Sequence, residues 1–354
     1  TWFNTTLVTS KDGITASAKK CLMTSADYPN TLSCHVRDPK VFKENGKYYM
    51  VLGARTKDDV GCVLLYEAED KEHFHFKQYI SPEKPFGYMW ECPDLFRIDG
   101  KCFLSISPQG IAAEEYQYQN VYQSGYYRIL GDLENNTLSP FTEWDMGFDF
   151  YAPQSFVDET GRRILIGWMG IGDIEYKNPT VAEGWQHTLT VPRELTLDAS
   201  GGICQNPVKE LSALRKNEII IPSDRFLTEG AFEMQADIAG NEDFSIIIDK
   251  GMRILYDAAS SVLSLSFLPD QECKPEDAKG CGRCIRKAKI RENKVSRLQI
   301  LVDHSTIEIF VNNGHYVFSS RYYKTGHAHT VEFAGDMKIT ACTLSGFHCK
   351  TTDR

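Results

Sequence analysis

No apolar run in the 354 residues approaches the roughly 18–20 that a membrane-spanning helix requires, so no helical membrane anchor is expected. The opening TWFNTTLVTSKDG has neither the basic start nor the apolar middle of a secretory leader, and none is expected there. There is no basic stripe. The formal net charge is −9, which argues against nucleic acid as a partner. Low-complexity tracts are absent, and a 42% apolar fraction can fill the cores of two domains. Residues 30–200 carry no long amphipathic helical pattern, so nothing there competes with a reading in strands.

A disulfide framework is also missing. The chain has eleven cysteines, an odd number without regular spacing, which fits a reducing cytoplasm better than secretion. Cys273, Cys281 and Cys284 stand closer together, in ECKPEDAKGCGRC. With Cys342 or Cys349 they could complete a zinc site. Free thiols on a surface hairpin are the plainer reading, and neither metal nor cofactor is expected.

What the chain does have is a repeat. RDPKVFKENGKYYMVLG contains Pro39, Phe42 and Gly46; ECPDLFRIDGKCFLSIS contains Pro93, Phe96 and Gly100; YAPQSFVDETGRRILIGWMG contains Pro153, Phe156 and Gly161. A fainter fourth copy, TVPRELTLDASGGICQNPV, has Pro192, Leu195 and Gly201. Each proline fixes φ and cannot donate to a ladder, so it marks the start or edge of a strand. Asn45-Gly46 and Asp99-Gly100 are hairpin signals. The strands that follow are rich in aromatic and β-branched residues. Copies at this spacing suit the four-stranded blades of a β-propeller, with a stack of hairpins as the alternative.

In a propeller, equivalent positions of successive blades sit at equivalent radii. The residues ahead of the prolines are Arg37-Asp38, Glu91-Cys92 and Tyr151-Ala152. Taken singly, Asp38 reads as a turn residue and Glu91 as a surface charge. Taken together at one repeat register, two carboxylates, a guanidinium and a phenol converge on one end of the channel. Beyond residue 207 the texture changes to alternating strands, as in SRLQILVDHSTIEIFVNNGHYVFSSRYY, where Asn313-Gly314 closes a hairpin. This predicts a β-sandwich over 208–354 after a propeller over 1–207, joined by VKELSALRKNE as a short linker with helical potential. His304, His315 and His327 are scattered and read as solvated or capping histidines.

Four motifs carry a resemblance to a known family. RDP at Arg37–Pro39, WEC at Trp90–Cys92, FYAPQSF at Phe150–Phe156 and GWM at Gly167–Met169 resemble glycoside hydrolase family 32, the β-fructofuranosidases, which include invertases and sucrose-6-phosphate hydrolases. WQHTLTVPREL and LVDHSTIEIFVNNG resemble it too, so the likeness covers nearly the whole chain. It implies a five-bladed β-propeller followed by a β-sandwich, and retaining hydrolysis that releases fructose from sucrose, sucrose 6-phosphate or short fructans. In that scheme Glu91 is the acid/base, and Asp38 holds fructose hydroxyls and stabilises the transition state. Arg37 helps bind those hydroxyls, and Tyr151 and Trp168 wall the sugar ring. Trp90 belongs to the substrate site and packs behind Glu91. Cys92 is expected to be packed and inert, and His35 structural. A phosphate on the leaving group would need a cationic subsite, for which Lys84, Arg128 and Lys177 are candidates by loop position.

The chain departs from the family at one point. The nucleophile of the family is the Asp of W-x-N-D-P-N-G in the first blade, and NDP does not occur here. The resemblance therefore implies that the first blade is incomplete or absent in this chain and that the nucleophile lies elsewhere. The missing segment could be a separate polypeptide that completes the fold, or the chain could be truncated. Alone it would be inactive. The alternative is a non-catalytic fructoside-binding protein.

Overall fold

The computed structural model describes residues 4–176, 178–267, 284–324 and 328–345. They are almost entirely β. The two short helices are 3₁₀ turns, Pro179–Glu183 and Lys209–Leu214. The second of these fulfils the helical expectation for the linker. Among the described residues no helix is long and apolar enough to cross a membrane.

After a two-stranded sheet, Thr5–Leu7 with Lys20–Met23, come three four-stranded antiparallel sheets in chain order. The first runs Leu32–Glu44, Lys47–Thr56, Gly61–Ala68 and His75–Ile80. The second runs Met89–Ile98, Lys101–Gln109, Gly125–Gly131 and Asn136–Leu138, with Thr142–Glu143 also pairing to its third strand. The third runs Tyr151–Val157, Arg163–Trp168, Arg193–Leu197 and Ile203–Pro207. Each is a meander of neighbours, as a propeller blade must be. Asn45-Gly46 and Asp99-Gly100 make the first hairpin of their sheets, with φ values of 49° and 86° and of 47° and 75°. Positive φ at both central residues gives the turn whose twist matches the flanking strands.

Three of the four proline copies open a sheet. The fourth does not: Pro192 precedes Arg193–Leu197, the third strand of the third sheet, paired on both sides. The proline occupies the strand's entrance, where no ladder bond is lost, so the same local signal serves a different place in the blade.

The strands after residue 214 form two six-stranded sheets. One has the order Arg215–Ile221, Met337–Leu344, Phe232–Ile238, Arg297–Val302, Thr306–Val311, Tyr316–Arg321. The other has the order Arg225–Glu229, Ala328–Ala334, Phe244–Ile248, Met252–Asp257, Val262–Phe267, Ile285–Lys289. Period-two alternation puts Ile246, Ile254, Leu265, Ile300 and Ile309 into one apolar core, each 1% exposed or less. Burial of each such side chain stabilises by about 1.5–3 kcal/mol.

Two compact units result. One holds the described residues up to Ala112 together with Tyr122–Glu143 and Ala152–Gln154. The other holds Ala113–Val121, Trp144–Tyr151 and the described residues from Ser155 onward, so it contains most of the third sheet and the whole sandwich. Cys273, Cys281, Cys349, Lys177 and His327 lie outside the described residues. Cys284 is disulfide-bonded and is no free zinc thiolate.

Candidate active site

The residue immediately before each blade-opening proline has a left-handed backbone: φ is 60° at Asp38, 49° at Cys92 and 50° at Ala152. Proline disfavours the ordinary helical region for its predecessor, and here the chain takes a left-handed kink instead. In the first two sheets the kink coincides with a break in strand register, between Arg37 and Lys40 and between Glu91 and Asp94. Such bulges bend an edge strand and re-aim its side chains. The repeat thus encodes one backbone irregularity, used three times.

This refines how the two acids correspond. Asp38 matches Cys92 and Ala152, whereas Glu91 matches Arg37 and Tyr151. The two acids come from adjacent register positions and are linked through the Cys92 backbone. The Cys92 backbone N–H donates to Asp38 Oδ2 at 3.0 Å, which anchors Asp38 to the residue following Glu91. Arg37 Nη1 donates to Glu91 Oε1 at 2.9 Å, and Gln109 Nε2 donates to Glu91 Oε2 at 2.9 Å. The other Arg37 nitrogen, Nη2, rests on His35 Nδ1, so His35 orients the guanidinium. The Glu91 side chain is 14% exposed and that of Arg37 is 40% exposed, leaving the cluster open to a ligand on one side.

Directly after each proline stands a polar residue: Lys40, Asp94 and Gln154. They interlock. Lys40 Nζ lies 3.5 Å from Asp94 Oδ1 and donates to Gln154 Oε1 at 3.1 Å. Gln154 Nε2 donates to the Cys92 carbonyl at 3.1 Å. These bonds tie the starts of three blades together beside the carboxylates. The signal was present in the sequence as a polar residue at one repeat position, inside strands that otherwise read as apolar. Gln109 carries no comparable signal.

The Trp90 side chain is fully buried, its Nε1 donates to the Phe86 carbonyl at 2.7 Å, and it stacks on Tyr127 at 5.6 Å. Two glycines make room for it. A Cβ on Gly53 would meet the Trp90 carbonyl oxygen at 2.2 Å, and one on Gly61 would meet the indole at 2.4 Å. Cys92 is as inert as expected: burial, then the charges of Asp38 and Glu91, push its thiol far above the usual range.

Arg37, Asp38, Glu91 and Trp90 therefore lie together in the first unit. Tyr151 and Trp168 belong to the second. Tyr151 is 5% exposed. The Trp168 ring stands edge-on to His187 at 4.8 Å, and His187 meets Tyr176 edge-on at 4.6 Å. Burial, then the nearby Arg321 charge, holds His187 below its usual range and thus neutral.

Comparison with known proteins agrees with this architecture. Residues 4–207 match the glycosyl hydrolases family 32 N-terminal domain, and residues 204–345 match the family 32 C-terminal domain. A sucrose-6-phosphate hydrolase of Staphylococcus xylosus is 36% identical, over 95% of this chain and 71% of that protein. One of Bacillus subtilis is also 36% identical, over 95% and 69%. Among solved structures, a sucrose-6-phosphate hydrolase of Lactobacillus gasseri superposes with a TM-score of 0.85 at 25% identity, over 97% of this chain and 72% of that one. A Bombyx mori GH32 β-fructofuranosidase superposes at 0.79 with 25% identity, over 97% and 76%. With its propeller-type blades followed by a β-sandwich, the chain belongs to glycoside hydrolase family 32.

Proposed function

We propose that the protein is a β-fructofuranosidase-type glycosidase acting on sucrose, sucrose 6-phosphate or short fructans, with Glu91 as acid/base. The observation that carries this is the meeting of Glu91, Asp38 and Arg37 through the bulges of two successive blades. Glu91 is steadied on both oxygens yet keeps an open side. In this reading it donates a proton to the glycosidic oxygen as the bond to the anomeric carbon breaks. It then takes a proton from the water that attacks the fructosyl intermediate. Asp38, fixed by the Cys92 N–H, accepts hydrogen bonds from fructose hydroxyls and stabilises the positive charge that develops on the ring. Arg37 adds donors to the same hydroxyls.

The nucleophilic attack falls to a carboxylate that residues 1–354 do not spell in the family's N-D-P motif. Tyr151 and Trp168 are proposed as sugar-binding residues on the family resemblance alone. Seven of the eight cysteines among the described residues are free, which favours a reducing, cytoplasmic setting; the disulfide-bonded Cys284 is the exception. The relatives named as sucrose-6-phosphate hydrolases favour a phosphorylated leaving group.

The test is fructose release from sucrose and from sucrose 6-phosphate, followed in the chain completed with a first-blade segment that carries the family's N-D-P motif and in its Glu91→Gln and Asp38→Asn variants, alongside calorimetric binding of fructose. Loss of turnover in both variants is expected, with fructose binding weakened by Asp38→Asn and kept by Glu91→Gln. Fructose binding by the parent without any turnover of either sugar would replace this reading with a binding protein.

A further inference from the structure

Three side chains with metal-binding chemistry meet in the second unit, away from any motif of the resemblance. Asp198, Cys204 and His315 each bring one ligand atom to within 4.8 Å of the others. Their meeting is built into the backbone. Asp198 heads the turn between Arg193–Leu197 and Ile203–Pro207, where its Oδ1 accepts the N–H groups of Ser200 and Gly202 at 2.7 and 2.9 Å. That leaves Oδ2 directed elsewhere. Cys204 follows on the returning strand. The turn at Asn313-Gly314 docks on the same strand, with the Gln205 N–H donating to the Gly314 carbonyl at 2.9 Å. Gly314 has φ 84°, and a Cβ there would meet the Gln205 carbonyl oxygen at 1.9 Å, so only glycine permits this approach. The next residue is His315.

The imidazole is oriented as a metal ligand would be. Its Nδ1 lies 2.9 Å from Glu292 Oε1, and its Nε2 faces Asp198 Oδ2 at 3.8 Å. A carboxylate on one ring nitrogen, with the other ring nitrogen presented to further ligands, is the usual outer arrangement of a metal-bound histidine. Tetrahedral zinc, with bonds of about 2.0–2.3 Å, separates its ligand atoms by roughly 3.3–3.8 Å. The observed spacing closes to that with small side-chain rotations.

Two independent observations point to a cation. Among the described residues neither Asp198 nor Glu292 pairs with lysine or arginine; His315 is the ion-pair partner of both. The Cys204 thiol, 7% exposed, has no hydrogen-bond partner among them and lies against this doubly acidic group.

We propose that Asp198, Cys204 and His315 bind one thiophilic divalent cation of the zinc class, with Glu292 as the positioning carboxylate. Binding displaces the Cys204 proton to solvent and forms the metal–sulfur bond; a water fills the fourth position. The cation clamps the last strand of the third sheet to the turn Asn312–His315 of the sandwich. This site is independent of the sugar-cleaving reading.

The test is spectroscopic. The purified, metal-free full chain is titrated with Co²⁺ under reducing conditions, then displaced with Zn²⁺. One equivalent should produce a thiolate-to-cobalt charge-transfer band in the near ultraviolet, abolished by Cys204→Ser and reduced at least about tenfold in affinity by His315→Ala. The band should persist in Cys281→Ser. His315→Ala and Asp198→Ala, at partly exposed positions, decide the matter if Cys204→Ser does not fold, with circular dichroism as the check. Zn²⁺ should raise the melting temperature of the parent and not of His315→Ala. Absence of the band overturns the proposal. So does a band that survives Cys204→Ser, one whose affinity is unchanged in His315→Ala, or one that disappears in Cys281→Ser.

Discussion

The molecule sets arginine against carboxylate in two contrasting surroundings. In the first unit Arg37 meets Glu91 at an open surface, its own side chain 40% exposed. In the second Arg193 is fully buried. Its Nη2 donates to Glu308 Oε2 at 2.8 Å, to Asp145 Oδ2 at 3.1 Å and to Ser319 Oγ, while Nη1 donates to Gln205 Oε1 at 3.0 Å. Its guanidinium lies over the rings of Phe150 and Phe310, 4.9 and 5.4 Å from their centroids. Asp145 also accepts the N–H groups of Gly147 and Ser319 at 2.9 and 2.8 Å. Burial pushes both Asp145 and Glu308 up, while Arg193 opposes the shift. The buried cluster joins the third sheet to the sandwich and leaves no face for a ligand. The residue types alone do not separate chemistry from architecture. Exposure and the number of donors already in place do.

The sharpest way to break this comparison is to remove one charge from each site. In the chain completed with the N-D-P segment, Glu91→Gln should lower turnover by about 10²–10⁴-fold, or about 3–5 kcal/mol in the barrier, with little change in melting temperature. Retained turnover, or a collapse of stability, would place Glu91 with the architectural group. Arg193→Met should do the reverse. Leaving two buried carboxylates without their cation should cost about 3–5 kcal/mol in urea unfolding, while the fraction still folded keeps its turnover. A stability loss below about 1 kcal/mol would show that the pair is dispensable.

Gly53→Ala tests the wall behind the open site. The added methyl drives against the Trp90 carbonyl, so a loss of about 1–3 kcal/mol is expected, with slower turnover as Glu91 shifts. Stability loss without a rate effect would uncouple the wall from the acid. A smaller effect should come from Asp249 in the sandwich. Burial opposes its ionised form, but His329, the Tyr322 hydroxyl and the Thr330 N–H together hold its carboxyl below the usual range. A depressed folded value gives stability that is complete above the unfolded carboxylate pKa, near 3.9. That stability is lost as pH falls through the lower folded value. Asp249→Asn should therefore flatten the acid limb of a melting-temperature-against-pH curve below about pH 4 and leave its slope at neutral pH unchanged.

Much of the fold was legible because it rests on local signals. The prolines, the Asn-Gly and Asp-Gly turns and the alternating strands name three sheet starts and the change of texture after residue 207. The fourth proline misled because a strand entrance looks the same wherever its blade places it. The carboxylates were legible through the repeat register, but the left-handed kink that makes Asp38 and Glu91 meet from unequal positions was not. How deeply Trp90 is buried was not legible, because nothing near it in the chain reveals Gly53 and Gly61, which make room for it. His315 looked isolated for a similar reason. Its neighbours Asp198 and Cys204 arrive through a close backbone approach at Gly314 that only the folded chain displays.

The central claim, that the two bulges deliver a working acid/base at Glu91, is tested most directly by chemical rescue. Glu91→Ala, in the chain completed with a first-blade segment that carries the N-D-P nucleophile, is assayed on a fructoside with an activated leaving group, with and without azide. The account predicts slow turnover that azide restores, yielding fructosyl azide of retained configuration. Turnover unaffected by the substitution, or azide that gives neither rate nor adduct, would contradict it.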